Sequence, residues 1–343
     1  MVGNYLKYMT IKNPLKGQTE YGWHFEQNVY EFDSLIRSVK AGGGSGNIPK
    51  IIIDMAKHYR IRKLTPTECL RLMGVSDGDI AKMKAAGISD SQLYKLAGNS
   101  IVVNVLVEIF RRVDFGNDKL RVFEAFSGYG SQSMALRRLG VDYEVVGISE
   151  IDKYAITAYN AVHGETKNYG DISKIDWAEV PDFDFLTYSF PCTDISNAGI
   201  QMGFEEGSGT RSSLLWECKK AIEAKKPKFL MMENVKAIAS DKFLPGLLKW
   251  QDYLTEQGYT NFAEILNAKD YGIPQNRERC FIISIYGDAW YNFPDPMPLE
   301  LKLKDMLEES VGEKYYLDQA RVDEFISNLS PDKREELEKG YTS

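Results

Sequence analysis

The sequence from Leu120 onward predicts an α/β fold, a mostly parallel sheet with helical crossovers, joined to a small second domain. Three observations carry this. Short apolar runs alternate with amphipathic stretches of helical period. The first run opens a glycine turn that leads straight into a helix. A Pro-Cys pair and a Glu-Asn-Val come after later apolar runs, on the rim where such sheets hold ligands.

Taken in order, residues 1–50 are aromatic, polar and irregular, and close on AGGGSGN at 41–47. That run fits a flexible linker or a tight loop against a ligand. Residues 51–113 read as helical. Thr65, Pro66 and Glu68 supply a cap, a first-turn proline and a capping acid. Glu68 and Arg71 are expected on a solvated helix face. SIVVNVLVEIFRRV at 100–113 keeps an apolar helical stripe, and 114–120 is a polar connection. Strands are then expected at 120–125, 143–148, 183–188, 229–232, 260–267 and 280–285, with helices at 131–139, 153–163, 214–224 and 244–257.

Composition narrows the function. The four cysteines form no C-x-x-C pair and there are three histidines, so no metal site is expected. No apolar run approaches the roughly 20 residues of a membrane span, and the start lacks a secretory apolar stretch; a cytoplasmic protein with reduced thiols, not partnered with membrane, is expected. The net charge of −7 argues against polyanion binding by the whole surface. The charge is uneven, +4 over 1–118, −6 over 119–297 and −5 over 298–343, which points a nucleic-acid partner at the first third.

The stretch FEAFSGYGSQS at 123–133 places Phe126, Gly128 and Gly130 between strand and helix, where glycine lets backbone approach a ligand and exposes a helix N-terminus. Glu150 follows the second strand, placed to accept ribose hydroxyls, and Asp171, in GDI, is expected at the next strand end as an acceptor for an adenine amino group. This is a nucleoside-cofactor pattern. Ser133 stands where a dinucleotide fingerprint has its third glycine, and the motif alone leaves S-adenosylmethionine, nicotinamide and flavin open. Cys192 follows Pro191 and precedes a long polar loop, 193–213, the kind that acts as a lid. Glu233 ends an apolar strand, where burial tunes a carboxyl. Arg277 and Arg279 alternate, so both point to one face.

Together these residues resemble the cytosine-C5 DNA methyltransferase family. F-S-G-Y-G at 126–130, Pro-Cys at 191–192, Glu-Asn-Val at 233–235 and Q-x-R-x-R at 275–279 come in the family's order. RKLTPTECLRLMGVSD at 62–77 resembles its ninth motif, YKLAGNSIVVNV at 94–105 its tenth, and VKAGGGSGNIPKI at 39–51 the segment before them. In the usual order these close the chain; here they open it, as in a circular permutation. The resemblance covers roughly 39–310.

The resemblance implies a Rossmann-like S-adenosylmethionine-dependent methyltransferase domain at 120–300, a ninth/tenth-motif segment at 51–113 packed on it, and a small target-recognition domain from 1–50 and 301–343. It implies a DNA (cytosine-5)-methyltransferase of restriction-modification or phage and host DNA protection. The cytosine is flipped out of double-stranded DNA, Cys192 attacks C6, Glu233 shares a proton with N3, and Arg279, helped by Arg277, neutralises charge near O2. For S-adenosyl-L-methionine, Phe126 stacks near adenine, Gly128 and Gly130 approach the methionine portion, Glu150 holds the ribose and Asp171 the adenine amino group. Ile151, Ile172 and Pro191 line that site, and Asn99 and Ser100 complete it. Ser196 and Gln275 are the expected DNA contacts; Arg62 and Thr65 are architectural. A monomer is expected.

The permutation cuts the recognition region, leaving about 310–343 and 1–47. The two ends are expected to pair into one compact domain, the alternative being a second polypeptide that supplies part of it. Three rival readings remain: an RNA cytosine-C5 methyltransferase of the same fold, a non-catalytic nucleic-acid-binding homologue, and a nicotinamide oxidoreductase.

Overall fold

The computed structural model describes residues 29–30, 32–41, 48–55, 58–195, 204, 207–329 and 331. Two short strands, β1 (Val29–Tyr30) and β2 (Ile36–Arg37), precede a hairpin of β3 (Lys50–Met55) and β4 (His58–Lys63). The helical expectation for 51–63 fails here. Ile51, Ile52 and Ile53 are β-branched, which suits a pleated surface better than a helix. Both faces of the hairpin are covered: Ile51 joins the main core, while Ile52 and Ile61 pack with Val29, Val322 and Leu329. Burial on both faces hides the alternation by which a strand is usually read.

Helices α1 (Pro66–Arg71), α2 (Asp77–Ala85), α3 (Asp90–Asn99) and α4 (Val103–Arg111) follow. The expected cap is present in full, with Thr65 accepting from the Glu68 amide and the Glu68 side chain accepting from the Thr65 amide. Residues 90–111 are long and apolar enough to suggest a membrane span, but the stretch breaks between α3 and α4, and 72% of its apolar window is buried inside the protein. It is a pair of core helices.

The α/β part runs β5 (Leu120–Ala125), α5 (Ser131–Leu139), β6 (Tyr143–Ser149), α6 (Lys153–His163), β7 (Phe185–Tyr188), α7 (Cys218–Lys225), β8 (Phe229–Val235), α8 (Leu244–Glu256), β9 (Tyr259–Asn267), β10 (Gln275–Asn276) and β11 (Glu278–Tyr286). The main sheet has the order β6-β5-β7-β8-β11-β9. Its first four strands are parallel, and β11 lies antiparallel to both β8 and β9. Period-two alternation divides the core. Val122, Phe185, Met231 and Ile283 face α4 and α5, whereas Phe123, Leu186, Leu230 and Ile282 face α7 and α8.

Residues 313–329 return to the hairpin. The Leu317 amide donates to the Ile61 carbonyl, and Arg60 is both paired with Glu313 and stacked on Tyr316. Helix α9 (Gln319–Ser327) lays Val322 on the same small core. The outer layer therefore draws on segments from both ends of the chain. It also takes in 50–63, which the expected boundaries assigned elsewhere.

Candidate active site

A cavity of about 380 Å3 opens at the carboxyl ends of the parallel strands. The expected site residues sort into two adjoining regions around it.

The first region is built on the glycine turn. Phe126 takes a left-handed backbone, φ 56°, and its amide donates to the Ser149 carbonyl at 2.8 Å. That bond folds the chain back over β6. Gly128 is also left-handed, and a β-carbon there would meet nothing within 4 Å, so its place reflects backbone conformation. Glu150 accepts from the amide of Gly128 with one oxygen at 3.0 Å, and from those of Ile151 and Asp152 with the other, both at 2.8 Å. A carboxylate with two oxygens has further lone pairs for ligand hydroxyls. Ile151 lines the cavity yet is 75% exposed, an apolar face suited to a stacked ring. Asp171 accepts from the amide and hydroxyl of Ser173 at 3.1 and 2.8 Å. Those bonds hold its carboxyl below the ordinary aspartate value, so it is an acceptor. Ile172, Pro191, Asn99 and Ser100 line the same space.

Gly130 departs from expectation. It is absent from the lining and caps α5 with φ 80°; a β-carbon there would press on the rings of His163 and Tyr159. Glycine is needed there for packing behind the turn. Sequence reading also missed Asn168, whose side chain donates to the Glu150 carbonyl at 2.9 Å and accepts from the amides of Glu150 and Gly170. A lone asparagine in a loop gives no signal of that brace.

The second region surrounds Cys192, which is half-buried beyond the end of β7. Glu233 lies inside β8, opposite Phe281, rather than past the strand end. It is buried, and Arg279 Nε approaches its Oε1 at 3.1 Å. Burial pushes the Glu233 carboxyl above its ordinary value, opposed by Arg279 and Arg277. Burial and then Glu233 push the Cys192 thiol up, while Arg279 and Arg277 pull it down. A raised thiol is protonated over a wider pH range. Alkylation of Cys192, followed by peptide mass spectrometry, should therefore rise with pH through a midpoint above that of an ordinary cysteine. Glu233→Gln removes a negative neighbour and should lower the midpoint; an unmoved midpoint would show that Glu233 does not act on the thiol.

Arg277 lines the cavity, but both terminal nitrogens of its guanidinium are committed. It donates to the carbonyls of Val39 at 3.0 Å, Gly98 at 2.9 Å and Ser100 at 2.7 Å. Its neighbour Gln275 is fully buried, accepting from the Val39 amide at 2.9 Å and donating to the Leu72 carbonyl at 2.7 Å. Gln275 is thus placed against protein and not on a DNA-facing surface. The alternating spacing correctly brings Arg277 and Arg279 to one cavity, yet only Arg279 faces Glu233. Ser196 lies outside the described residues. Arg211, unmarked in the sequence reading, is exposed and lines the cavity from the far end of the loop that follows Cys192.

Comparison with known proteins agrees with this geometry. The family model for C-5 cytosine-specific DNA methylase matches residues 4–114 and 120–342. The Type II methyltransferase M2.ScrFI of Lactococcus lactis subsp. cremoris is 44% identical over 257 residues, 59% of this chain and 71% of that protein. The orphan methyltransferase M.SPRI of Bacillus phage SPR is 38% identical over 245 residues, 62% of this chain and 55% of that protein. The matched part thus spans little more than half of one relative and about seven-tenths of the other. Among solved structures, the methyltransferase EhMeth of Entamoeba histolytica shares the fold with a TM-score of 0.51 at 19% identity, over 59% of this chain and 63% of that one. With the family model covering nearly its whole length, the chain belongs to the C-5 cytosine-specific DNA methylase family.

Proposed function

We propose that this chain methylates C5 of a cytosine flipped out of double-stranded DNA, through a covalent bond between Cys192 and C6 of the ring. The observation that carries the reading is one cavity holding a half-buried thiol, a buried carboxyl, an arginine on that carboxyl and, beside them, the carboxylates of Glu150 and Asp171.

S-adenosyl-L-methionine, when bound, supplies an electrophilic methyl group. The residues present fit it: Glu150 for ribose hydroxyls, Asp171 for the adenine amino group, Phe126 and Ile151 for the adenine faces, Gly128 and the Asn99–Ser100 backbone for the remainder. The chain's own part is acid–base and nucleophilic. Cys192 gives its proton to solvent and adds to C6 as the thiolate. Glu233, its carboxyl raised by burial, shares a proton with N3 and so draws electrons from the ring. Arg279 keeps the pocket cationic and orients Glu233. The adduct leaves C5 nucleophilic; after methylation the C5 proton passes to water or hydroxide, Cys192 leaves as the thiolate, and N3 returns its proton to Glu233, which restores the ring. Arg277 acts as a positioning residue that ties the Gly98–Ser100 backbone to the base pocket.

The motif order is read as a circular permutation. Helix α4, from the displaced tenth-motif segment, packs on α5 of the cofactor turn, so a short connection at 114–119 suffices to join them. The layer built from the described residues of 29–63 and from 313–329 is the proposed recognition domain, within one polypeptide.

The test is transfer of labelled methyl from S-adenosyl-L-methionine to unmethylated duplex DNA and, separately, to RNA by the purified chain. Label recovered as 5-methylcytosine in DNA is the expected result. Label in RNA alone would give the substrate to the rival reading, and no label with the cofactor bound would point to a second polypeptide.

A further inference from the structure

Cys192 must be held at a fixed angle to the base, yet it lies where no strand neighbour can hold it. β7 ends at Tyr188, and Ser189 to Cys192 continue past the paired strand. The carbonyls on either side of the nucleophile are nonetheless fixed. Asn234 donates to the Phe190 carbonyl at 3.0 Å, and the Ile195 amide donates to that of Cys192 at 3.1 Å. Between them, the Ser212 hydroxyl donates to the Pro191 carbonyl at 2.7 Å from the far side of the intervening loop.

Ser212 is itself locked. Its hydroxyl accepts from the Asp194 amide at 3.3 Å, and its amide donates to the Asp194 carboxylate at 3.1 Å. The Thr193 hydroxyl donates to the same carboxylate oxygen at 3.2 Å. Ser212 is 0% exposed and Asp194 8%. A buried polar ring with its members paired is rigid and costly to break. A second post stands nearby, where Phe204 is buried against Phe190 and its carbonyl accepts from Trp216 Nε1 at 2.8 Å.

We propose that Ser212 and Asp194 form a latch that joins the two ends of the 193–211 loop and sets the direction of the Cys192 thiol. They are positioning residues; neither is required to touch substrate. The inference rests on Cys192 as nucleophile. The latch predicts that its loss slows formation of the cysteine adduct far more than it weakens cofactor binding, because of the cofactor-side groups only Pro191 is held by Ser212, and the others lie on other loops.

The experiment uses the full chain and duplex DNA carrying 5-fluorocytosine, which traps the Cys192 adduct, with calorimetric titration of S-adenosyl-L-methionine in parallel. Ser212→Ala is expected to slow trapping about 10- to 100-fold, with the cofactor Kd changed less than about twofold and Ser212→Thr recovering part of the rate through its hydroxyl. Trapping by Ser212→Ala at the normal rate would overturn the proposal. So would equal losses in trapping and cofactor binding, which mark a merely structural defect. If Ser212→Ala does not fold, Asp194→Ala decides on the same two readouts. Cys192→Ala runs beside them: if it still forms an adduct, the nucleophile assignment fails, which is a different result from failure of the latch.

Discussion

Cys192→Ala is expected to reduce transfer of methyl to cytosine by a factor on the order of 10^4 to 10^6, the scale seen when an enzyme loses its nucleophile. The ring's C5 is a poor nucleophile until C6 carries a bond to sulfur, and no second thiol can substitute. Cys69, Cys218 and Cys280 are all buried, and burial pushes each thiol far from ionisation. The cofactor region should survive the change, since its polar groups are fixed by contacts among 126–128, 149–152 and 168–173 that do not involve Cys192. The measurement is labelled-methyl transfer together with cofactor titration on the same preparation. Lost transfer with retained binding is the expected pair. Transfer within tenfold of the unaltered chain would remove the covalent route.

Much of this arrangement was legible because sheet strands and flanking helices carry local signals. β5, α5 and α6 begin and end where periodicity and glycine placed them, and β8 was misjudged only at its end, where Glu233 continues the strand. Many of the candidate-site residues line one cavity for a related reason: a parallel sheet gathers the residues at its carboxyl strand ends onto one rim. The hidden part was long-range. Gln275 looks like a surface polar residue until Val39 and Leu72, more than 200 positions away in the chain, are seen to pair with it. Arg277 looks like a substrate-facing cation, but its acceptors are backbone carbonyls, which no sequence pattern marks. The hairpin at 50–63 failed for the opposite reason, because burial of both faces erased its period.

The same limit governs Glu68, which sequence placed on a solvated face and the structure buries completely. Its carboxylate accepts four hydrogen bonds: Arg62 at 2.7 and 2.8 Å, the Thr65 amide at 2.7 Å and the Glu308 amide at 2.9 Å. These join β4, the start of α1 and the returning C-terminal segment. Glu68→Gln keeps the shape but turns one acceptor into a donor facing N–H groups, and strands the buried Arg62 charge. The expected loss is about 3–5 kcal/mol of unfolding free energy, read as a lower urea midpoint. Arg71, by contrast, pairs with exposed Asp77, and Asp77→Ala should cost under about 1 kcal/mol. The double change Arg62→Met with Glu68→Leu removes both charges at once and should recover part of what Glu68→Gln loses, the remainder being the Thr65 and Glu308 amides left without an acceptor. A Glu68→Gln protein that unfolds at the original urea concentration would mean that this junction is held by its apolar neighbours alone.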